Sequence, residues 1–247
     1  MAAQKFDFKN FIEESKKTLL SPQEYFTSMP KTGGLVEPLI KVVLYSFTAG
    51  VIGLILGLLH ISRFGGGFLP GAAAGIASII LSPIFGVIGF FIGSVVLLII
   101  SAICCGNTDF EANARVVASM SVLFPIGAFL NFTYGISIYL GILCGLAVSL
   151  YGVWLLFNAL VHSLSAKPNA SKIVAGIVAA IMLISTITTY TTISRISKIR
   201  KMSQKEYNME QLMEKYMEGL PEDAKALARE ALKESLKEAK ERMKENE

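Results

Sequence analysis

The chain has 247 residues, 53% of them hydrophobic, a net charge of +4 and a mean hydropathy of +0.55. From Val42 to Ser194 its only charged side chains are Arg63, Asp109, Glu111, Arg115, Lys167 and Lys172, so that stretch has no polar face from which a water-soluble domain could be built. A net charge of +4 is too small to argue for a nucleic-acid partner.

In chain order, residues 6–20 place Phe8, Phe11, Ile12 and Leu19 at helical spacing, with Lys9, Lys16 and Lys17 largely elsewhere. This predicts a short amphipathic helix beside the bilayer. Ser21-Pro22 should end it, because the residue before proline avoids the helical region. No apolar run precedes the first span, so no signal peptide is expected and that span should direct insertion itself.

Gly33-Gly34 and Pro38 mark the entry to the membrane, and Val42–Leu59 is the first spanning block. The second block, Phe68–Cys105, has no charge and is longer than the ~20 residues one crossing needs. Ser82-Pro83 is expected to split it, giving either a short half-crossing helix before a span at 84–105, or two tight spans. The third block, Val116–Leu130, contains Pro125, which should kink it. The fourth and fifth are Ile136–Val161 and Ile173–Ile193. Period-2 alternation is absent, so the spans are helices and not barrel strands.

Small residues recur four apart at Gly53/Gly57, Gly71/Gly75, Gly89/Gly93, Gly141/Gly145 and Ala175/Ala179. Such pairs let helix backbones approach closely, within the chain or in a homo-oligomer. After Ser194 the chain turns charged. Pro221 with Glu222 and Asp223 suits a helix start. Leu220, Ala224, Leu227 and Ala231 follow a 4-3-4 spacing, which Leu232, Leu236, Ala239 and Met243 repeat one position on, a narrow apolar stripe whose Leu220, Leu227, Leu232, Leu236 and Met243 are candidates for docking a partner. Basic residues flank both the first and the last span, which puts both termini in the cytoplasm and asks for an even number of crossings. Five full spans remain the favoured reading, with a sixth crossing inside 68–105 as the alternative.

The strongest polar constellation is Asp109, Glu111 and Arg115. Arg115 follows Glu111 by four residues, so both share a face at the start of the third span and can neutralise each other. This reads as a structural clasp, or else as part of a polar pathway. Asn158 and His162, near the end of the fourth span, bond interfacial water or a carbonyl, or His162 relays protons. Cys104, Cys105 and Cys144 lie in apolar surroundings, with neither a disulfide framework nor a metal-ligand spacing; S-palmitoylation of Cys104–Cys105 is the other reading. No nucleophile elbow, phosphate loop or zinc motif is present, so no enzymatic activity and no cofactor or metal are expected.

The order of these features resembles the Yip family of multi-span membrane proteins, prokaryotic members included. The resemblance is carried by Leu19 to Phe26 (LLSPQEYF), by Gly106 to Pro125 (a small polar loop, an arginine and a mid-span proline), and by the span pair from Tyr139 to Leu183. Eukaryotic members that bind Rab-type GTPases carry an acidic-aromatic motif before the first span, where this chain has Ser21-Pro22-Gln23-Glu24-Tyr25-Phe26. The resemblance therefore implies the family's fold and not its GTPase partner. The expected fold class is an all-α polytopic membrane helix bundle. It has an interfacial segment at 1–35, a five-span domain at 36–194 and a charged helical tail at 195–247. The expected function is a non-enzymatic scaffold or adaptor embedded in the lipid bilayer that binds protein partners through its terminal helices. A small-solute transporter or channel, or a lipid-handling protein that shapes membranes, is the alternative. The membrane would be the cell membrane in a prokaryote and the endoplasmic reticulum or Golgi in a eukaryote.

Overall fold

A computed structural model describes residues 7–59 and 72–217. The chain divides into two compact units, Met1–Ile187 and Thr188–Glu247. Among the described residues, all regular structure is helical.

Helix α1 (Phe8–Leu20) starts where the Asp7 carboxylate accepts the Lys9 N–H at 2.9 Å. It ends before Pro22, which opens the short α2 (Pro22–Ser28) from its first turn. Five stretches are long and apolar enough to cross a membrane: Val36–Leu58, Ile76–Ile103, Phe110–Ile136, Ile138–Ser163 and Pro168–Thr192. The bilayer-spanning bundle expected from the sequence is therefore present. Its outward side chains are apolar: Ile92, Phe85 and Ile173 are about two-thirds exposed, as a surface facing hydrocarbon must be.

The first span is α3 (Val36–Leu58), which begins six residues before the expected block because Pro38 sits harmlessly in its first turn. The second is α4 (Ala72–Ile103). The expectation that Ser82-Pro83 splits this block is corrected: Pro83 lies inside α4, and a single helix passes through it. Proline removes one N–H, and close packing against α3 holds the helix together across the gap. A Cβ on Gly50 of α3 would lie 2.8 Å from the Ser78 carbonyl and 3.0 Å from the Ile79 Cα, and the Ser78 hydroxyl donates to the Gly50 carbonyl at 2.9 Å. No sixth crossing exists among the described residues.

The third span is broken instead, into α5 (Phe110–Met120), α6 (Leu123–Leu130) and α7 (Thr133–Ile136). Pro125 explains where. Its ring clashes with the carbonyl four residues back, at Ser121, and the helix parts at Ser121-Val122. The stranded Ser121 carbonyl is taken by the Phe124 N–H at 3.0 Å, a tighter three-residue bond. The fourth span is α8 (Ile138–Asn158), which runs into a five-residue π-helix, Ala159–Ser163. The fifth begins α9 (Pro168–Met217), with proline again at the first helical position.

The core of the first unit lies at one end of the bundle. Phe26, Leu155, Leu160, Leu164, Val116 and Cys104 are fully buried there, joined by Tyr25 and Met29 of the N-terminal segment. The loops at that end are laced together: the Asn107 N–H donates to the Leu164 carbonyl at 2.7 Å, and the Lys167 N–H to the Cys104 carbonyl at 3.0 Å. Gly106 makes this approach possible, since a Cβ there would sit 2.6 Å from the Ser101 Oγ and 3.0 Å from both the Ala166 Cβ and the Leu164 carbonyl.

Candidate functional site

The most organised polar group stands where α5 begins. Asp109 caps that helix, its carboxylate accepting the N–H groups of Glu111 at 2.6 Å and Ala112 at 3.3 Å. One and a half turns on, Arg115 points into the bundle with 5% of its side chain exposed. Its Nε donates to the Glu111 Oε1 at 3.2 Å, its Nη1 to the Glu37 Oε2 at 3.1 Å and its Nη2 to the Gly34 carbonyl at 3.0 Å. The Gly34 N–H returns a 2.6 Å bond to Glu111, so Arg115 and Glu111 together hold the backbone that leads into α3. Glycine is required here, because Gly33 and Gly34 adopt φ of +133° and +91°.

A second cation extends the group. Lys41, four residues after Glu37 on α3, lies 2.8 Å from the Glu37 Oε1 and 2.5 Å from the Glu14 Oε2 of α1. Three carboxylates and two cations thus tie α1, α3 and α5 together. Burial takes these charges partly out of water, and mutual pairing makes that tolerable. Next to them, the Tyr25 and Ser119 hydroxyls are 2.7 Å apart, and Ser119 also donates to the Arg115 carbonyl at 2.9 Å. Burial pushes the Tyr25 phenol above its ordinary range, opposed in part by the charge of Lys41. On α1, Ser15 bonds the Tyr45 hydroxyl at 2.6 Å, the Phe11 ring packs tilted against Tyr45 with centroids 4.8 Å apart, and the Leu19 carbonyl accepts from the Tyr151 hydroxyl.

The expected Glu111–Arg115 pair is present, and Asp109 stands beside it as a cap. Glu14, Gly34, Glu37 and Lys41 complete the group but were not read from the sequence as its members. The signal was the four-residue spacing of Glu37 and Lys41 at a span entrance. Pro125 lies in α6 and acts on the break before it. Asn158 is buried at the end of α8 and donates to the Trp154 carbonyl at 2.8 Å, while His162 sits half-buried in the π-helix. Asn113, fully buried, donates to the Asn107 and Asp109 carbonyls at 3.0 and 2.7 Å. The stripe residues Leu220, Leu227, Leu232, Leu236 and Met243 lie outside the described residues.

A second feature is a cleft of about 660 Å³ inside the first unit, between α6, α8 and the membrane part of α9. Leu123, Phe124, Leu156 and Met182 form its walls, Gly145 and Gly152 widen it, and Asn131 supplies a polar edge. No group of three or more histidine, cysteine or acidic side chains able to hold a metal occurs among the described residues.

No curated protein and no solved structure matches the chain. The family model for the Yip1 domain matches residues 16–189, from the middle of α1 into the fifth span, and takes in Gly34, Glu37, Lys41, Glu111 and Arg115 of the network but not Glu14. With five apolar spans, a mid-span proline and an N-terminal segment seated in the bundle, this chain belongs to the Yip1-domain family of membrane proteins.

Proposed function

We propose that the protein is a non-enzymatic membrane scaffold whose core holds two terminal segments in place for protein partners. One observation carries this reading: five ionisable groups, drawn from α1, α3 and α5, pair with one another. Glu14 and Glu37 engage Lys41, while Glu37 and Glu111 engage Arg115. A network of this kind fixes helices, and its own acids are held as partners of Lys41 and Arg115. Phe8 and Leu20 of α1 stay outward, 60% and 81% exposed, as in a helix that lies in the membrane interface. In this reading residues 1–35 form an interfacial segment, 36–194 the core and 195–247 an arm for partners.

The test compares proteins that co-purify from native membranes with the full chain and with a chain lacking 203–247. Loss of a discrete set of proteins on truncation supports the scaffold. An unchanged set removes the arm from the function.

A lipid-handling role is the second reading, favoured by the cleft, whose size and apolar walls suit an acyl chain better than a polar solute. Filling it with Gly152→Phe should lower the amount of lipid retained through detergent purification. Unchanged retention would set this role aside.

A further inference from the structure

The cleft of the first unit has a direction. Its wall on α8 is made by Gly141, Gly145, Ser149, Gly152 and Leu156, which recur three or four residues apart and so share one face of that helix. The cleft is therefore a groove that runs lengthwise along a spanning helix. From Gly141 to Leu156 it extends roughly 22 Å at 1.5 Å per residue. That is more than half of a ~30 Å hydrocarbon core. The facing wall is α6, set off from α5 by the break at Ser121-Val122. A Cβ added to Gly127 of α6 would meet nothing within 4 Å. Glycine in a span usually lets another helix approach, and here it keeps a space open.

Polarity is confined to one end of the groove. Ser149, midway along it, donates to the Gly145 carbonyl at 2.9 Å. Met120 and Leu156 bound the end toward the laced loops. At the opposite end, the mouth, stand Asn131 and Tyr134, in the last two turns of the third span. Tyr134 lies in the notch left by Gly141, where any added Cβ would collide with its ring. Its hydroxyl lies 3.5 Å from the place of a Cβ on Gly145. No charged side chain lines the groove, and the connection from Asn131 to Ser137 carries none.

We propose that the groove holds one acyl chain of a neutral glycerolipid of the diacylglycerol class, with the free glycerol hydroxyl bonded to the Asn131 side chain. This rests on the lipid-handling reading of the cleft and names its ligand. Direction argues for the chain. Because α8 crosses the membrane, a groove along it is parallel to the lipid chains and takes one in without bending it. Charge argues for the head. An amide both donates and accepts, which matches a hydroxyl. A phosphate, in a zwitterionic or an anionic head, is best held by Lys or Arg, and neither stands in the groove or in the connection up to Ser137.

The test uses the full chain in phosphatidylcholine discs doped with equal minor amounts of dioleoylglycerol and phosphatidylglycerol. Lipids carried with the chain into mild detergent are then counted per chain by mass. One dioleoylglycerol per chain is expected, enriched over its share of the disc and over both phospholipids. Gly127→Phe fills the open space and should abolish retention of every lipid. Asn131 is exposed, so its variants keep the fold. Asn131→Leu should still retain a lipid, with the enrichment lowered about fivefold, the worth of one hydrogen bond. Asn131→Lys should turn the preference toward phosphatidylglycerol.

Retention that Gly127→Phe abolishes but that shows no preference among heads overturns the neutral glycerolipid and leaves the lipid-handling reading standing. A preference that neither Asn131 variant moves places the head elsewhere and overturns the proposal. A parent chain that retains no lipid overturns both.

Discussion

Arg115 and Glu37 lie 78 positions apart in the sequence, and their guanidinium Nη1 and carboxylate Oε2 meet at 3.1 Å. Arg115 is nearly enclosed, whereas Glu37 and Glu111 keep 30% and 27% of their side chains exposed. Arg115→Ala therefore leaves Glu111 without its cation and Glu37 with Lys41 alone. It should cost about 3 kcal/mol, the low end for breaking a buried pair, because water reaches both acids. Arg115→Lys should recover only part of this, since an ammonium cannot reach Glu37, Glu111 and the Gly34 carbonyl together. Thermal unfolding of the purified variants in detergent measures both.

Phe26 is completely buried among residues of α5, α8 and the π-helix and anchors the N-terminal segment. Phe26→Ala should destabilise the first unit by about 3–5 kcal/mol. Limited proteolysis is the sharper check: cleavage between residues 20 and 35 should rise steeply in the variant and stay slow in the parent.

Tyr25 brings a pH dependence. Its phenol is raised from the ordinary 10.0, so the folded chain holds this proton more tightly than the unfolded one. The stability it contributes is complete below pH 10 and falls as the pH climbs above that value. Tyr25→Phe should lose about 1 kcal/mol at neutral pH with the Ser119 bond, and should show a flatter alkaline limb. Unfolding midpoints between pH 8 and 12 for the two proteins test the sign.

Two glycines should behave oppositely. Gly106→Ala drives a methyl into Ser101, Ala166 and the Leu164 carbonyl, and should cost about 1–3 kcal/mol. Gly127 in α6 has nothing within 4 Å of the same added carbon, so Gly127→Ala should be neutral or stabilise by up to about 1 kcal/mol. Melting temperatures measured side by side decide it.

The spans were legible because apolar length is a one-dimensional signal. The Glu111–Arg115 pair was legible because four-residue spacing is local. The rest of the network was not, since Glu14, Glu37 and Arg115 come from three helices whose meeting depends on packing. Proline was only half legible. Pro125 breaks its span one turn upstream, whereas Pro83 leaves α4 whole, and the difference lies in the neighbour. Around Pro83 the serine and glycine backbone of α3 and α4 are in close contact, and that contact appears nowhere in the local sequence. The π-helix under His162 left no mark either, having no proline or glycine to announce it.

The two bonds that join Asn107 to Leu164 and Lys167 to Cys104 behave like a rivet through neighbouring loops. Opening at that end must break both bonds, so thermal opening of the first unit should be rarer there than at the other end, where Asn131 and Tyr134 border the cleft. Amide protons at Asn107 and Lys167, although in loops, should therefore exchange as slowly as those of a buried helix.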